Sequence, residues 1–353
     1  MSSLKPLRVV VAGLGNMGRS HALAYETNPG FEIAALVNRS DVPLPQELER
    51  HAIRRSFDDA LREEKPDVAS INTYSDSHAE YAVKALEAGC HVFVEKPLAT
   101  TVADAERVVA AAKANGRKLV VGYILRHHPS WVRLIAEARA LGGPYVFRMN
   151  LNQQSSGSTW ATHKQLMQTT PPIVDCGVHY VDVMCQITDA KPVEVRGMGL
   201  RLSDEIAPDM YNYGHLQVLF DDGSVGWYEA GWGPMISETA FFVKDVISPN
   251  GCVSIVMDES AKSDDIDTHT KTSRLRIHHA KTGEDGKFAA PDQMLSMEGE
   301  PGHQELCDME QAFLLKAIRD DVDLTRHMSD AVKSLAVCLA ADESVRTGRA
   351  IKL

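Results

Sequence analysis

The fold class this chain predicts is a doubly wound parallel α/β domain followed by an α+β domain with a large, mainly antiparallel sheet. Three observations carry it. Up to Gly122, short apolar strands alternate with helical stretches at short spacing, as strand–helix–strand units do. A Gly-x-Gly-x-x-Gly turn, Gly13 to Gly18, joins the first strand to the first helix. After Gly122 the pattern changes to longer strands of alternating hydrophobicity, which suit an antiparallel sheet with one covered face.

Leu7–Ala12 is a continuous apolar strand and Arg19–Tyr25 a helical stretch. The glycines between them let the backbone turn sharply and approach a pyrophosphate whose charge sits on a helix N-terminus. Gly13, Gly15, Asn16, Met17 and Gly18 are therefore candidate cofactor contacts, and residues 1–123 a dinucleotide-binding Rossmann domain. The second strand, Glu32–Val37, ends at Asn38-Arg39-Ser40, where such folds meet the ribose. An acidic residue there grips the 2′-hydroxyl of NAD, whereas Asn38 followed by Arg39 offers a fork of donors to a 2′-phosphate. The trio favours NADP. NAD stays open, because Asn38 can bond a ribose hydroxyl and Arg39 can stack on adenine.

Asp58–Glu63 is a short helix and Asp67–Asn72 the next strand, with Thr73 just beyond it. Ser75-Asp76-Ser77 offers N-cap residues for helix His78–Ala88, which stops at Gly89. His78 falls in the first turn, where a cofactor contact and a capping or packing role are both open. His91–Lys96 reads as a buried strand that Pro97 must end. That leaves Glu95 and Lys96 at a strand's carboxyl end, the side on which open α/β sheets bind ligands. Thr73, His78, Glu95 and Lys96 complete the candidate cofactor set. Helix Thr101–Asn115 and strand Lys118–Gly122 follow.

The second domain, 124–353, begins within a bridging segment Tyr123–Pro129 and a helix Ser130–Ala140. Its expected strands are Tyr145–Asn152, Val193–Leu202, Asn212–Phe220, Ser224–Gly231 and Ala240–Val246, with a hairpin turn at Asp221-Asp222-Gly223. Asp258–Thr272 reads as a polar surface loop, and amphipathic helices span Gln304–Asp320 and Met328–Thr347. Helices should cover one sheet face and leave the other for a partner subunit, giving a homodimer or homotetramer.

The formal net charge of -11 argues against nucleic acid or an anionic membrane as partner. No apolar run approaches the roughly 20 residues of a spanning helix. The N-terminus enters a strand almost at once, leaving no room for a signal peptide. Six scattered cysteines without a CxxC pair read as reduced, mostly buried thiols, neither zinc site nor disulfide framework. These features together predict a cytoplasmic protein with no metal.

Asp175, His179 and Asp182 stand four and three apart at the head of an apolar stretch running to Ile187, so one helix should set them on one face. An N-cap Asp beside a surface His is the plainer account of that spacing. With Gly13-x-Gly15-x-x-Gly18, Ala88-Gly-Cys-His-Val-Phe-Val-Glu95-Lys96-Pro97, Asp175-x-Gly177-x-His179-x-x-Asp182 and the closing run Gly348–Leu353 in hand, the chain resembles the glucose–fructose oxidoreductase, inositol dehydrogenase and MocA family over essentially its whole length. The resemblance implies an NAD(P)-dependent dehydrogenase acting on a CH–OH group of a cyclic polyol, sugar or sugar derivative. It also implies that Lys96, Asp175 and His179 form the catalytic set where the two domains meet. A neutral His179 suits removal of the hydroxyl proton, and the Lys96 ammonium suits the developing oxygen charge. Asp175 would orient substrate hydroxyls or the Lys96 and His179 pair, with Asp182 a weaker candidate. Tyr123, Arg126, Trp160, His163 and Lys164 are candidate substrate contacts beside Lys96, Asp175 and His179. The segment Thr169-Thr170-Pro171-Pro172 departs from the glycine-rich turn usual in that family, so substrate contacts there should differ. Two further readings stand beside the dehydrogenase. One is a redox glycosidase that oxidises a sugar transiently, eliminates the aglycone and returns the hydride. The other is a dinucleotide-binding sensor without catalysis, against which the intact Lys96, Asp175 and His179 argue.

Overall fold

A computed structural model describes residues 5–237, 243–256, 272 and 274–353. In chain order, the first elements are β1 (Leu7–Ala12), α1 (Asn16–Thr27), β2 (Phe31–Val37), β3 (Ile53–Arg54), α2 (Phe57–Glu64), β4 (Val68–Ile71), α3 (Ser75–Glu87), β5 (His91–Val94), α4 (Val102–Ala114) and β6 (Leu119–Val121). Then come α5 (Pro129–Leu141), β7 (Val146–Gln154), α6 (Gly157–Leu166), α7 (Pro172–Asp175), α8 (Gly177–Ile187), β8 (Pro192–Leu200), β9 (Tyr213–Phe220) and β10 (Val225–Gly233). The remainder is β11 (Lys244–Ser248), β12 (Gly251–Val256), β13 (Arg274–His279), β14 (Gln293–Ser296), α9 (His303–Arg319), α10 (Thr325–Thr347) and β15 (Ile351–Lys352).

Two compact units result. The first is Met1–Ile124 with His303–Val332, and the second Leu125–Gly302 with Lys333–Leu353. The expected division left everything after 123 in the second domain; α9 and the start of α10 instead pack with the first unit. The reason is apolar burial. Leu314, Ala317 and Leu324 join Val9, Val11, Ala22, Tyr25 and Phe31 in one core cluster. Gly30 is part of that fit, since a Cβ there would lie 2.2 Å from Leu315 Cδ2. His327 Nε2 accepts the Val121 amide at 2.8 Å, closing the free side of β6, and Lys118 Nζ donates to the Val322 carbonyl at 2.8 Å.

The first unit carries a six-stranded parallel sheet in the order β3-β2-β1-β4-β5-β6. Two boundaries differ from expectation. Helix α3 starts at Ser75 behind Tyr74, so Ser75-Asp76-Ser77 form its first turn instead of its cap. Strand β5 ends at Val94, and the last ladder bond is from the Glu95 amide to the Ile71 carbonyl at 2.8 Å. Lys96 lies two residues beyond the strand.

The second unit carries a nine-stranded sheet in the order β14-β13-β12-β11-β7-β10-β9-β8-β15. Every neighbour pair is antiparallel except β7–β10. The β9–β10 hairpin turns at Gly223, with φ +84, and Asp222 accepts the Ser224 amide at 2.8 Å. Strands β12 to β15 and helices α6 and α7 extend the expected set. Residues 240–242 of the strand expected at Ala240–Val246, and all of the Asp258–Thr272 loop but Thr272, lie outside the described residues. The run from Asp175 to Ile187 is not one helix: Pro171-Pro172 start α7, Asp175 ends it, and α8 begins at Gly177.

Candidate active site

At the Gly loop the structure supplies the cradle a pyrophosphate needs. Gly13 has φ +85, and a Cβ on it would lie 2.4 Å from the Asn72 carbonyl oxygen; on Gly18 one would lie 1.8 Å from the Gly13 carbonyl oxygen. Both positions must be glycine for β1, β4 and α1 to approach. Among the described residues nothing lies within 4 Å of such an atom on Gly15, and none of their side chains caps the N-terminus of α1. The amides of Asn16, Met17 and Gly18 therefore start a helix over open space, which fits a dinucleotide phosphate.

Asn38 is busier than its sequence position suggested. Its Oδ1 accepts the Leu14 amide at 3.1 Å and its Nδ2 donates to the Ser40 carbonyl at 2.8 Å, so it braces the Gly loop against the end of β2. Arg39 and Ser40 are exposed. A second guanidinium, not anticipated from the sequence, stands here: Arg55 Nη1 donates to the Asn38 carbonyl at 3.3 Å, and its other end pairs with Asp41. Arg55 follows the two-residue β3, too short to read from hydrophobic pattern, and that is why it was missed.

His78 is 1 % exposed and turned inward. Its Nδ1 lies 2.7 Å from the Pro97 carbonyl oxygen and its Nε2 2.9 Å from the Thr73 carbonyl oxygen. It ties the ends of β4 and β5 together. Thr73 Oγ1 is bonded to Ser77 Oγ at 2.7 Å. Glu95 is also buried. Its Oε1 meets His21 Nε2 at 2.7 Å, while its Oε2 accepts the Lys96 amide at 3.1 Å. Burial pushes the Glu95 carboxyl up, but the bond to His21 and the charges of His21, Lys96 and His78 outweigh it and hold the group below the usual range. Gln311 Nε2 on α9 meets His21 Nδ1 at 2.9 Å. His21, Gln311 and Glu95 thus form a buried brace behind Lys96, assembled from chain positions too far apart for any spacing rule to find. Tyr123 is 1 % exposed with its ring 6.3 Å from that of His327.

In the second unit, Asp175 is 6 % exposed at the end of α7 and His179 is half-buried in the first turns of α8. The break between the helices is held by close packing: a Cβ on Gly177 would lie 3.0 Å from Cys338 Sγ and 3.4 Å from the Tyr228 ring. Asp182 serves the fold. It is 1 % exposed and takes a two-pronged pair from Arg126, Nε–Oδ2 at 2.8 Å and Nη2–Oδ1 at 2.5 Å, with Gln186 Nε2 at 3.0 Å. Arg126 is accordingly held in place by Asp182. On α6, Trp160 is 6 % exposed and its Nε1 donates to Glu205 Oε1 at 3.2 Å. Lys164 pairs with the same Glu205 at 2.5 Å, and the His163 ring stacks on Trp232 at 4.3 Å. Glu205 and Trp232 carry no sequence motif; only the fold makes them neighbours of α6. Among the described residues no helix is long and apolar enough to cross a membrane.

Comparison with known proteins fits this architecture. Residues 7–123 match the oxidoreductase family with an NAD-binding Rossmann fold, and residues 131–238 match the GFO/IDH/MocA C-terminal domain. Inositol 2-dehydrogenase of Acidothermus cellulolyticus is 29% identical over 219 residues, 60% of this chain and 62% of that protein. D-glucoside 3-dehydrogenase of Escherichia coli is 30% identical over 185 residues, 50% of this chain and 52% of that one. The chain thus spans about half to three fifths of the length of these curated relatives. In overall fold it is similar to levoglucosan dehydrogenase, solved with NADH and levoglucosan, at a TM-score of 0.78 and 19% identity over 98% of this chain and 99% of that one. With both domain matches in sequence order and the two sheets they require, the chain belongs to the GFO/IDH/MocA family of oxidoreductases.

Proposed function

We propose that the protein is an NAD(P)-dependent dehydrogenase that interconverts a CH–OH group and a ketone on a cyclic polyol, sugar or sugar derivative. The observation that carries this reading is the Glu95–Lys96 turn, braced by His21 from behind and placed just past a strand's carboxyl end in an NAD-binding fold. The named relatives, an inositol 2-dehydrogenase and a D-glucoside 3-dehydrogenase, oxidise alcohols of that kind and support the substrate class.

In this reading Gly13, Gly15, Asn16, Met17 and Gly18 hold the pyrophosphate. When bound, the nicotinamide accepts or donates the hydride. His179 takes the hydroxyl proton, Lys96 donates a hydrogen bond to the same oxygen as negative charge grows on it, and Asp175 orients substrate hydroxyls. The exposed Arg39, with Arg55 beside Asn38, favours NADP over NAD through contact with the 2′-phosphate. The protein acts in the cytoplasm as a homodimer or homotetramer built on the open face of the second unit's sheet.

The test is a fluorescence titration of the purified protein with NAD(H) and NADP(H), followed by absorbance assays of nicotinamide reduction with polyols, free sugars and aryl glycosides. Reduction of free cofactor by a polyol or sugar is expected. Arg39→Ser should weaken NADP binding about 10-fold or more and leave NAD nearly unchanged. Release of aglycone without accumulation of reduced cofactor would replace the dehydrogenase with a redox glycosidase.

A further inference from the structure

Behind the Glu95–Lys96 turn lies a donor cluster that the proposed reaction does not use. On α9, His303, Cys307 and Glu310 follow one another at spacings of four and three, so they share a helix face. A ring nitrogen of His21 on α1, the Cys307 Sγ and a carboxylate oxygen of Glu310 all lie within 4.8 Å of one another. The three residues are 0–1 % exposed. His303 Nε2 stands 3.8 Å from Cys307 Sγ, a fourth donor at the edge of the group.

Glu310 is the informative member. Among the described residues neither of its buried oxygens has a hydrogen-bond partner. A carboxylate in that position needs either a proton or a cation, because an uncompensated buried charge is far too costly to keep. The surrounding chemistry points to a cation. Thiolate, imidazole and carboxylate together are a ligand set for zinc-type ions and a poor one for magnesium or calcium. One thiolate and one carboxylate balance a divalent charge. His21 is already oriented as a ligating histidine would be, with one ring nitrogen on a carboxylate, Nε2 to Glu95 at 2.7 Å. That fixes its lone pair on Nδ1, which now faces the Gln311 amide at 2.9 Å. Gln311 is poorly satisfied, since its buried Oε1 has no partner among the described residues, so its amide can yield the position at little loss.

We infer that His21, Cys307 and Glu310, with His303 as fourth donor, bind a divalent transition-metal ion of the zinc type. On binding, the Cys307 thiol gives its proton to solvent and its sulfur bonds the metal. With all four positions filled by protein the ion is structural, and it clamps α9 to α1. It also reaches Glu95 through His21. No sequence motif announces it, because the ligands come from two helices almost three hundred positions apart and form no CxxC or HxxxH pair.

The experiment is elemental analysis of the full-length protein purified without chelator, then titration of the chelator-stripped protein with Zn2+ and Co2+. About one ion per chain is expected. The cobalt form should show sulfur-to-cobalt charge-transfer absorption that Cys307→Ser abolishes. Glu310→Gln, nearly isosteric and uncharged, should fold normally and bind Zn2+ at least about 10-fold more weakly. Two results overturn the inference: a folded protein that neither arrives with metal nor takes up Zn2+ or Co2+ at micromolar concentration, or cobalt binding unchanged in both variants. Neither readout depends on dehydrogenase activity, so this site and the proposed reaction can fail separately.

Discussion

Lys96 and His179 are the residues on which the proposed chemistry turns, and they should respond differently from their supports. Lys96→Ala and His179→Ala should each lower kcat by roughly 100-fold or more, because each acts on charge or a proton in the transition state. A kcat within about twofold of the parent in either variant would remove that residue from the catalytic set. A second residue-scale expectation concerns acid stability. Burial and then the charge of Arg126 push His127 down to about 4, and burial does the same to His91, whose Nδ1 accepts the Lys118 amide. Between about pH 6.5, where an unfolded histidine titrates, and about 4, the unfolded chain binds more protons than the folded one. Stability is therefore full above that window and lost as the pH falls through it, by up to about 1.4 kcal/mol per pH unit for His127. The more exposed His91 adds less, since solvent screens it. Urea midpoints at about pH 7.5 and about pH 5 should differ in that sense, and His127→Asn should flatten the difference. A midpoint that does not move would contradict the burial argument.

Among elements, the Gly loop is the most constrained. Gly13→Ala must place a Cβ against the Asn72 carbonyl in a left-handed conformation, and should cost about 2 kcal/mol or more together with dinucleotide affinity. Melting temperature and cofactor Kd check it, and a variant unchanged in both would mean the loop is looser than its contacts imply. This loop, β1 and the existence of β5 were legible from sequence because local chemistry decides them: glycine at positive φ and apolar runs. The split of α7 from α8 was not. Spacing alone put Asp175, His179 and Asp182 on one face, yet the Pro171-Pro172 start and the Cys338 and Tyr228 contacts at Gly177 come from packing. Once separated, Asp182 went to Arg126, so two of the charged candidates turned out to neutralise each other. Polar residue type announces chemistry, but which way a side chain points is set by neighbours far away in the chain.

For the whole molecule, the two fold classes could be read from the change in hydrophobic period after Gly122, whereas the ownership of α9 could not. An amphipathic pattern says that a helix has an apolar face and is silent on which sheet will cover it. The second unit's sheet leaves the complementary problem. Met198, Leu200, Leu219 and Val225, on β8, β9 and β10, are 64 %, 56 %, 40 % and 41 % exposed and share a face by strand register. Exposed apolar side chains on one sheet face, interleaved with Glu194, Arg196 and Gln217, ask for cover. Light scattering should give at least twice the chain mass of 38.8 kDa, and Met198→Asp with Leu219→Arg should shift it toward one chain. A monomer mass for the unaltered protein would rule the oligomer out.

The division of the first unit into Met1–Ile124 and His303–Val332 also sets the timetable of its assembly. A ribosome releases the six strands of the parallel sheet long before Leu314, Ala317 and Leu324 exist to complete their core. Until α9 and the start of α10 emerge, the Gly30 hollow and the outer edge of β6 stay open to solvent. The nascent sheet must therefore wait, incomplete, through synthesis of nearly the entire second unit, and that interval is when a chaperone or a second nascent chain can reach it.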